Sequence, residues 1–183
     1  MKDIYLDIDE NSCKIISNLD DAKGTLVVPV VLESNEVNLE HQHKIIITQK
    51  QLIKNPNLLR SLADAITDSL TLFDAQNINC YLEDIKGVLK LNSTSYINIA
   101  EGHGDDCGLK AVQSIIDTPF FLQGSSSVLL LFRINPDYPI MAISDDIDIL
   151  YEFLDDDADI IFSIAGDSTL PIDRVKVSMI FTG

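Results

Sequence analysis

Strand-like and helix-like patterns alternate along the second half of the sequence, and this alternation limits the fold more than any other feature. YINIA, from Tyr96, is a strand pattern, and SVLLLFRI has the continuous apolar character of a central strand. Between them and after them, apolar residues recur every three or four positions, as in helices. DIIFSIA and RVKVSMIF are two further strands. The order β-α-β-α-β-β predicts an α/β (α+β) fold, in which a mixed β-sheet carries two crossover helices on one face and ends in a hairpin-like pair of strands.

Individual residues in this region predict where its helices begin and end. Ser144 is a good N-cap and is followed by two aspartates, so a helix is expected to begin just after it. GHGDD is expected to form a turn before the other helix, which Pro119 should end. RVKVSMIF alternates apolar and polar residues, which predicts a half-exposed antiparallel strand.

The first fifty residues are rich in strand patterns. DIYLDI alternates, and TLVVPVVL is a buried run containing Pro29, a residue typical of edge strands or bulges. After Pro56, apolar residues three or four positions apart predict a helix with one apolar face. These residues are Leu59, Leu62, Ile66, Leu70 and Phe73. We therefore expect a β-rich N-terminal segment, residues 1–53, packed on a main domain of residues 54–183.

The net charge of −16 argues against two classes of partner. A phosphate backbone or an anionic lipid surface is repelled by such a field, and the basic residues are scattered with no Lys/Arg stripe to overcome it. We therefore expect no nucleic-acid and no membrane partner. Cys13, Cys80 and Cys107 lack CxxC spacing, and the acidic start is not a signal peptide. Both features indicate a cytoplasmic protein.

Two groups of residues could bind a metal, and each has a simpler interpretation. Glu40, His41 and His43 form an E-H-x-H pattern, in which the two histidines would project to the same side of an extended segment. Two histidines do not make a complete site, and a solvated loop explains them as well. Four aspartates between Asp155 and Asp159 could bind calcium, but they lack the D-x-D-x-D-G spacing. A solvated helix end is the simpler interpretation of that cluster.

One group of residues has the composition of a nucleophilic site. His103, Asp105 and Asp106 lie beside Cys107, which would occupy the first turn of a helix, where a thiolate is favoured. The helix phase is equally compatible with Cys107 as a small packed residue. The nearby Gly-His-Gly could hold an anion, but a turn before a helix is the better interpretation.

Several segments, taken in order, resemble a known family. GDDCGLKAVQSIIDTP resembles a helix that opens with a G-E-D-R-A-type start and closes at a proline. SVLLLFRINPDYPI resembles the next strand and turn, and DADIIFSIAGDSTLPIDRVKVSMIFTG resembles the closing strand, loop and strand ending in T-G. Together these segments, from Asn79 to Gly183, are similar to the C-terminal domain of the FtsZ/tubulin family. FtsZ is the bacterial tubulin homologue of cell division. Upstream, KIIITQKQL also looks like part of that pattern.

The stretch NINCYLEDIKGVL matches the loop through which this family reaches the nucleotide of the next subunit. The family pattern is N-x-D-x-x-D, and the matching residues here are Asn79, Tyr81 and Asp84. The first aspartate is thus a tyrosine, and a phenol with a pKa near ~10 cannot act as a base at neutral pH. Glu83 is adjacent, but it would point about 100° away if the helix has begun. The simpler interpretation of Asp84 is an acid in the first turn of a helix.

The resemblance also implies what this chain lacks. The family binds GTP through a separate domain with a glycine-rich loop, and no such loop occurs among the eight glycines here. We therefore expect no cofactor and no enzymatic activity. The leading hypothesis is an interaction module that associates with itself or with an FtsZ-type GTPase through Asn79, Tyr81, Glu83 and Asp84. The alternative is a small-molecule-binding protein or enzyme on the same scaffold, because one fold can host unrelated functions.

Overall fold

The computed structural model describes residues 4–33, 43–71, 78–90, 93–118 and 125–183. In this part of the chain, eight strands form one sheet in the order β2-β1-β3-β4-β5-β8-β6-β7. The strands are β1 Ile4–Asp9, β2 Ser12–Ile16, β3 Leu26–Leu32, β4 Lys44–Ile47, β5 Thr94–His103, β6 Ser127–Ile134, β7 Asp159–Gly166 and β8 Arg174–Thr182. The helices are α1 Gln49–Lys54, α2 Leu58–Thr71, α3 Leu82–Val88, α4 Cys107–Ile116 and α5 Ile140–Asp148. No helix of the described residues is long and apolar enough to cross a membrane.

The sheet is mixed, as the sequence predicts, but its last strand lies in an unexpected place. β3, β4 and β5 run parallel, and so do β6 and β7. β8 runs antiparallel between β5 and β6, where Val177 lies opposite Ala100 on one side and Phe132 on the other. The expected hairpin-like pairing of the last two strands is therefore wrong. The final strand fills the position between β5 and β6. The loop before it takes the chain from β7 back across β6.

Two cores lie on opposite faces of this sheet. Because side chains alternate along a strand, Leu129 and Leu131 of β6 face α2 and α3, whereas Leu130 and Phe132 face α4 and α5. The expectation of two crossover helices on one face is confirmed, with α4 and α5 in those positions. The expectation of a half-exposed last strand is wrong: helices cover both faces of β8, and its residues from Val177 to Thr182 are buried.

Pro29 lies within β3 and does not interrupt it. The expectation of an edge strand or bulge is wrong, because β3 has β1 on one side and β4 on the other. Pro29 is opposite Tyr5 in the register with β1, and pairing with β4 begins at Val30, one residue after the proline. A proline, which has no N–H to donate, is tolerated where the ladder on one side has not yet begun.

One helix boundary differs from the sequence-based expectation, and one helix was not expected at all. α5 begins at Ile140 after Pro139, so Ser144 lies inside the helix and is not its N-cap. α1 was not expected: Thr48 caps it by accepting from the N–H of Gln51, whose side chain accepts in turn from the N–H of Thr48. The helix predicted after Pro56 is present as α2, while Phe73 and Pro119 lie outside the described residues.

Candidate functional site

Residues 78–81, which precede α3, form hydrogen bonds with β7 and with α2. Ile78 exchanges two backbone hydrogen bonds with Ile164 of β7, at 3.0 and 2.7 Å. The N–H of Cys80 donates to the carbonyl of Ser69 in α2 at 3.3 Å, and its thiol donates to the Ser69 hydroxyl at 3.2 Å. These contacts hold residues 78–81 in a defined position at the start of α3.

Asp84 stabilises the beginning of its own helix. It occupies the first turn of α3, and its Oδ2 accepts a hydrogen bond from the backbone N–H of Tyr81 at 2.7 Å. This is one half of a capping box, in which a side chain satisfies an N–H that the helix leaves free. The interpretation of Asp84 as a first-turn acid therefore agrees with the structure. Its carboxylate is engaged locally, at the start of α3.

The neighbouring side chains differ in what they present to a partner. Tyr81 immediately precedes α3 and is 67% exposed. Glu83 is exposed and pairs with Lys86 at 2.7 Å, a surface ion pair of small energetic value. Asn79 is partly buried, and its Nδ2 has no acceptor among the described residues. The four predicted residues thus lie together on one short stretch, in which Tyr81 is an exposed aromatic side chain.

The β1–β2 turn contributes residues that the sequence did not suggest. Glu10 and Asn11 line a cavity of about 350 Å³ with Tyr81 and Glu83, and Leu70, Cys80 and Leu82 complete its wall. We refer to residues 78–84 together with Glu10 and Asn11 as the loop surface. Nothing in the sequence placed the turn here, because the contact depends on how β1 and β2 pack over α2. Burial raises the pKa of the Cys80 thiol, so it remains protonated at neutral pH.

The proposed histidine site is not assembled in the described part of the chain. Glu40 and His41 lie outside the described residues. His43 is buried, and its Nδ1 lies 2.7 Å from the carbonyl of Lys90 and 2.9 Å from the Ser93 hydroxyl. Burial lowers the pKa of His43, so the neutral ring donates to that carbonyl. His43 therefore links β4 to the segment before β5.

In the Cys107 group, the thiol is packed inside the protein. Cys107 is buried at the start of α4, and burial raises the pKa of its thiol, so the expected preference for the thiolate is wrong. His103 lies at the end of β5 beside Glu101, 3.3 Å away. Asp155, Asp156 and Asp157 precede β7, and Asp159 is its first residue. Among the described residues, no group of three His, Cys, Asp or Glu side chains is arranged to hold a metal ion.

A second cavity, of about 300 Å³, lies between α2 and the sheet. Charged groups surround it: Arg133 of β6 pairs with Asp68 of α2, and Glu101 of β5 lies 3.8 Å from Lys176 of β8. Ile99 and Leu131 supply apolar surface. This combination of apolar wall and fixed charge is typical of small-molecule sites.

The sheet, its helices and the loop before α3 define an α/β domain of the type that ends the FtsZ chain, and the resemblance predicted from the sequence is confirmed. The chain is 29% identical over 149 residues to the cell division protein FtsZ of Helicobacter pylori strain J99, covering 76% of this chain and 39% of that protein. The FtsZ of H. pylori strain 26695 is 28% identical over the same length. No protein-family model matches the chain.

Solved structures give the same result for the fold. An FtsZ dimer from M. jannaschii superposes with a TM-score of 0.61 at 22% identity, covering 76% of this chain and 45% of that one. A mutant FtsZ from M. jannaschii gives a TM-score of 0.66 at 18% identity, covering 76% and 46%. This chain therefore spans about two fifths of the length of the curated relatives it matches. The matched share of this chain is longer than residues 54–183, so the similarity extends upstream of residue 54.

Proposed function

We propose that this chain is a non-enzymatic, FtsZ-related interaction module of cell division. It would act by docking its loop surface on a filament-forming FtsZ-type GTPase or on a second copy of itself. The curated relatives are named cell division proteins, and this chain matches only part of their length. The whole relative's activity is therefore not carried over, and contact is the part of its function that we assign to this chain.

The observation that carries the proposal is the replacement of the family's first aspartate by Tyr81. Where the family pattern has an aspartate, this chain presents an aromatic ring that is 67% exposed, while Asp84 is engaged in capping α3. An exposed tyrosine beside a cavity is a frequent anchor of protein interfaces, because it buries a large area with little loss of conformational entropy. The loop surface is therefore suited to binding a subunit without hydrolysing its nucleotide.

Co-sedimentation with FtsZ filaments tests this proposal. H. pylori FtsZ would be polymerised with GTP, and the protein added at increasing concentration. We expect the protein to pellet with the filaments and to change the rate of GTP turnover. Tyr81→Ala should reduce pelleting at least about tenfold, the loss typical of an interface anchor. Tyr151→Ala is the matched control, because Tyr151 is 65% exposed and lies outside the loop surface.

Two results would overturn the proposal. One is the absence of co-sedimentation together with unchanged GTP turnover, if light scattering also shows no self-association that depends on Tyr81. The other is an equal loss of pelleting in Tyr81→Ala and Tyr151→Ala, which would mean that the contact does not use the loop surface.

The alternative function, small-molecule binding, draws on the cavity between α2 and the sheet. A ligand that binds only the folded state raises the unfolding temperature. A thermal-shift screen of nucleotides and metabolites distinguishes the two functions, with Arg133→Ala as the variant that should lose any stabilisation. Ligand-induced stabilisation without filament binding would favour this alternative.

A further inference from the structure

Asp146 has a buried carboxylate that is only partly hydrogen-bonded. The residue lies on the inner side of α5 and is 5% exposed. It accepts a hydrogen bond from the backbone N–H of Leu109 in the first turn of α4. Its Oδ2 has no donor among the described residues and lies against Gly108, where an added Cβ would come within 1.8 Å. An ionised oxygen without a partner is costly inside a protein.

This carboxylate forms part of the wall of a cavity of about 410 Å³ that has an unusual composition. Its aspartates are Asp105, Asp106, Asp145, Asp146 and Asp173. None of these five takes part in an ion pair with another described residue. Lys110 is close, but its ammonium donates to the carbonyl of His103 at 3.3 Å. The cavity therefore concentrates negative charge that the described part of the chain does not neutralise.

The remaining wall of the cavity is largely apolar. Leu109, Pro139, Ala142 and Ile172 form most of it, together with Gly104, Cys107 and Tyr138. Leu109 is 37% exposed and Ile172 is 54% exposed, so both are accessible to a partner. An accessible apolar wall beside buried negative charge can hold both the stem and the head of a long cationic side chain.

We propose that this cavity, the Asp146 pocket, receives a lysine or arginine side chain from a basic segment of a partner protein. The cationic head would lie among the five carboxylates, and the aliphatic stem would pack on Leu109 and Ile172. The net charge of −16 would draw a basic segment toward the protein from a distance. A bare metal ion fits less well, because no three of these carboxylates are arranged to ligate one. The pocket shares no residue with the loop surface, so this contact is separate from the proposed filament contact.

Fluorescence anisotropy with a defined probe tests this inference. The probe is a labelled, capped peptide of alternating leucine and arginine, and its control replaces each arginine with citrulline, which has the same shape without the charge. We expect the arginine peptide to bind saturably to the full chain and the citrulline peptide to bind at least about tenfold more weakly. The double variant Asp145→Asn/Asp173→Asn should weaken the arginine peptide by a similar factor, and Ile172→Ser should also weaken it.

The matched control is Asp155→Asn/Asp156→Asn, which removes the same charge from an exposed cluster that does not line the pocket. We expect this double variant to bind the arginine peptide as the wild type does. The inference is overturned if the peptide does not saturate, or if both double variants weaken it equally, since binding would then be general attraction to an acidic protein. It is also overturned if Mg²⁺ or Ca²⁺ binds saturably in calorimetry and the Asp145→Asn/Asp173→Asn variant loses the metal but not the peptide.

Discussion

Replacing Asp146 with asparagine should change how the stability of the fold depends on pH. Burial, with Asp145 and Asp106 nearby, raises the pKa of Asp146 from 3.8 to about 6. Because the folded pKa lies above the unfolded one, the group's stabilising contribution is complete below about pH 4 and is lost as the pH rises through about 6. From pH 4 to 7 the wild type should lose roughly 2 kcal/mol of unfolding free energy relative to Asp146→Asn, because solvent in the open cavity screens part of the effect.

Urea unfolding of both proteins at several pH values measures this difference. Asp148→Asn serves as the control, because Asp148 is exposed on the same helix and should change the pH dependence much less. A constant difference between wild type and Asp146→Asn across the range would contradict the prediction.

Asp84 should matter for stability through its hydrogen bond to Tyr81. Asp84→Ala removes the acceptor for that N–H and should cost about 1 kcal/mol of unfolding free energy. Glu83→Ala is its neighbouring control: it removes only an exposed ion pair and should cost less than about 0.5 kcal/mol. Thermal unfolding at neutral pH compares the two. Equal losses would show that the cap contributes no more than the surface pair.

These two aspartates differ in how far the sequence can predict their roles. Asp84 acts within its own helix turn, so its position after Tyr81 is enough to predict a first-turn acid. Asp146 acts on a different helix, and its role depends on the packing of α5 against the start of α4. The sequence pattern also misplaced the helix start at Ser144, which made Asp146 an ordinary first-turn acid. A tertiary contact of this kind leaves no local signal.

At the scale of elements, Gly102 sets the distance between β5 and α4. A Cβ at this position would lie 1.8 Å from the carbonyl oxygen of Cys107 and 2.9 Å from the backbone nitrogen of Ala111. Both are backbone atoms of α4, so the helix must shift to make room. Gly102→Ala should therefore destabilise the protein by roughly 3 kcal/mol, as overpacking in a core does.

Gly87 provides the matched control for this prediction. It is exposed in α3, and a Cβ there meets nothing within 4 Å. Gly87→Ala should stabilise the protein by about 0.5–1 kcal/mol, because alanine restricts the unfolded chain and favours helix. Chemical unfolding of both variants measures the two effects. Destabilisation of similar size in both would contradict the role assigned to Gly102.

The sequence predicted the strands and helices better than it predicted which strands pair with each other. The strands β5 to β8 and the helices α2, α3 and α4 follow from apolar periodicity, which is a local property. The placement of β8 between β5 and β6 does not, since periodicity says nothing about which strands pair. α1 could have been found, because Thr48 followed by Gln51 three positions later is a capping-box pattern.

At the scale of the whole molecule, the N-terminal strands supply a third of the buried residues of the first core, seven of 21. Leu6, Ile8, Val28, Ile45 and Ile47 pack in the same core as α2 and α3. The second core, around α4 and α5, contains none of the described residues among the first 53. We propose that residues 1–53 form a segment packed on an FtsZ-like domain of residues 54–183. The dependence of the two cores on this segment should therefore differ.

A fragment of residues 54–183 should accordingly keep one core and lose the other. Without β1 to β4, α2 loses its packing against β2 and keeps its contacts with β6, β7 and β8. Part of its apolar face, which includes Leu62 and Ile66, is then exposed, and this cost should prevent stable packing of α2 and α3. Hydrogen exchange should show protected amides in α4, β6 and β8, and rapid exchange in α2 and α3. The full chain, exchanged in parallel, should protect all of these elements. Full protection of α2 in the fragment would show that the domain does not need the N-terminal strands, and loss of protection throughout would show that the two cores fold as one unit.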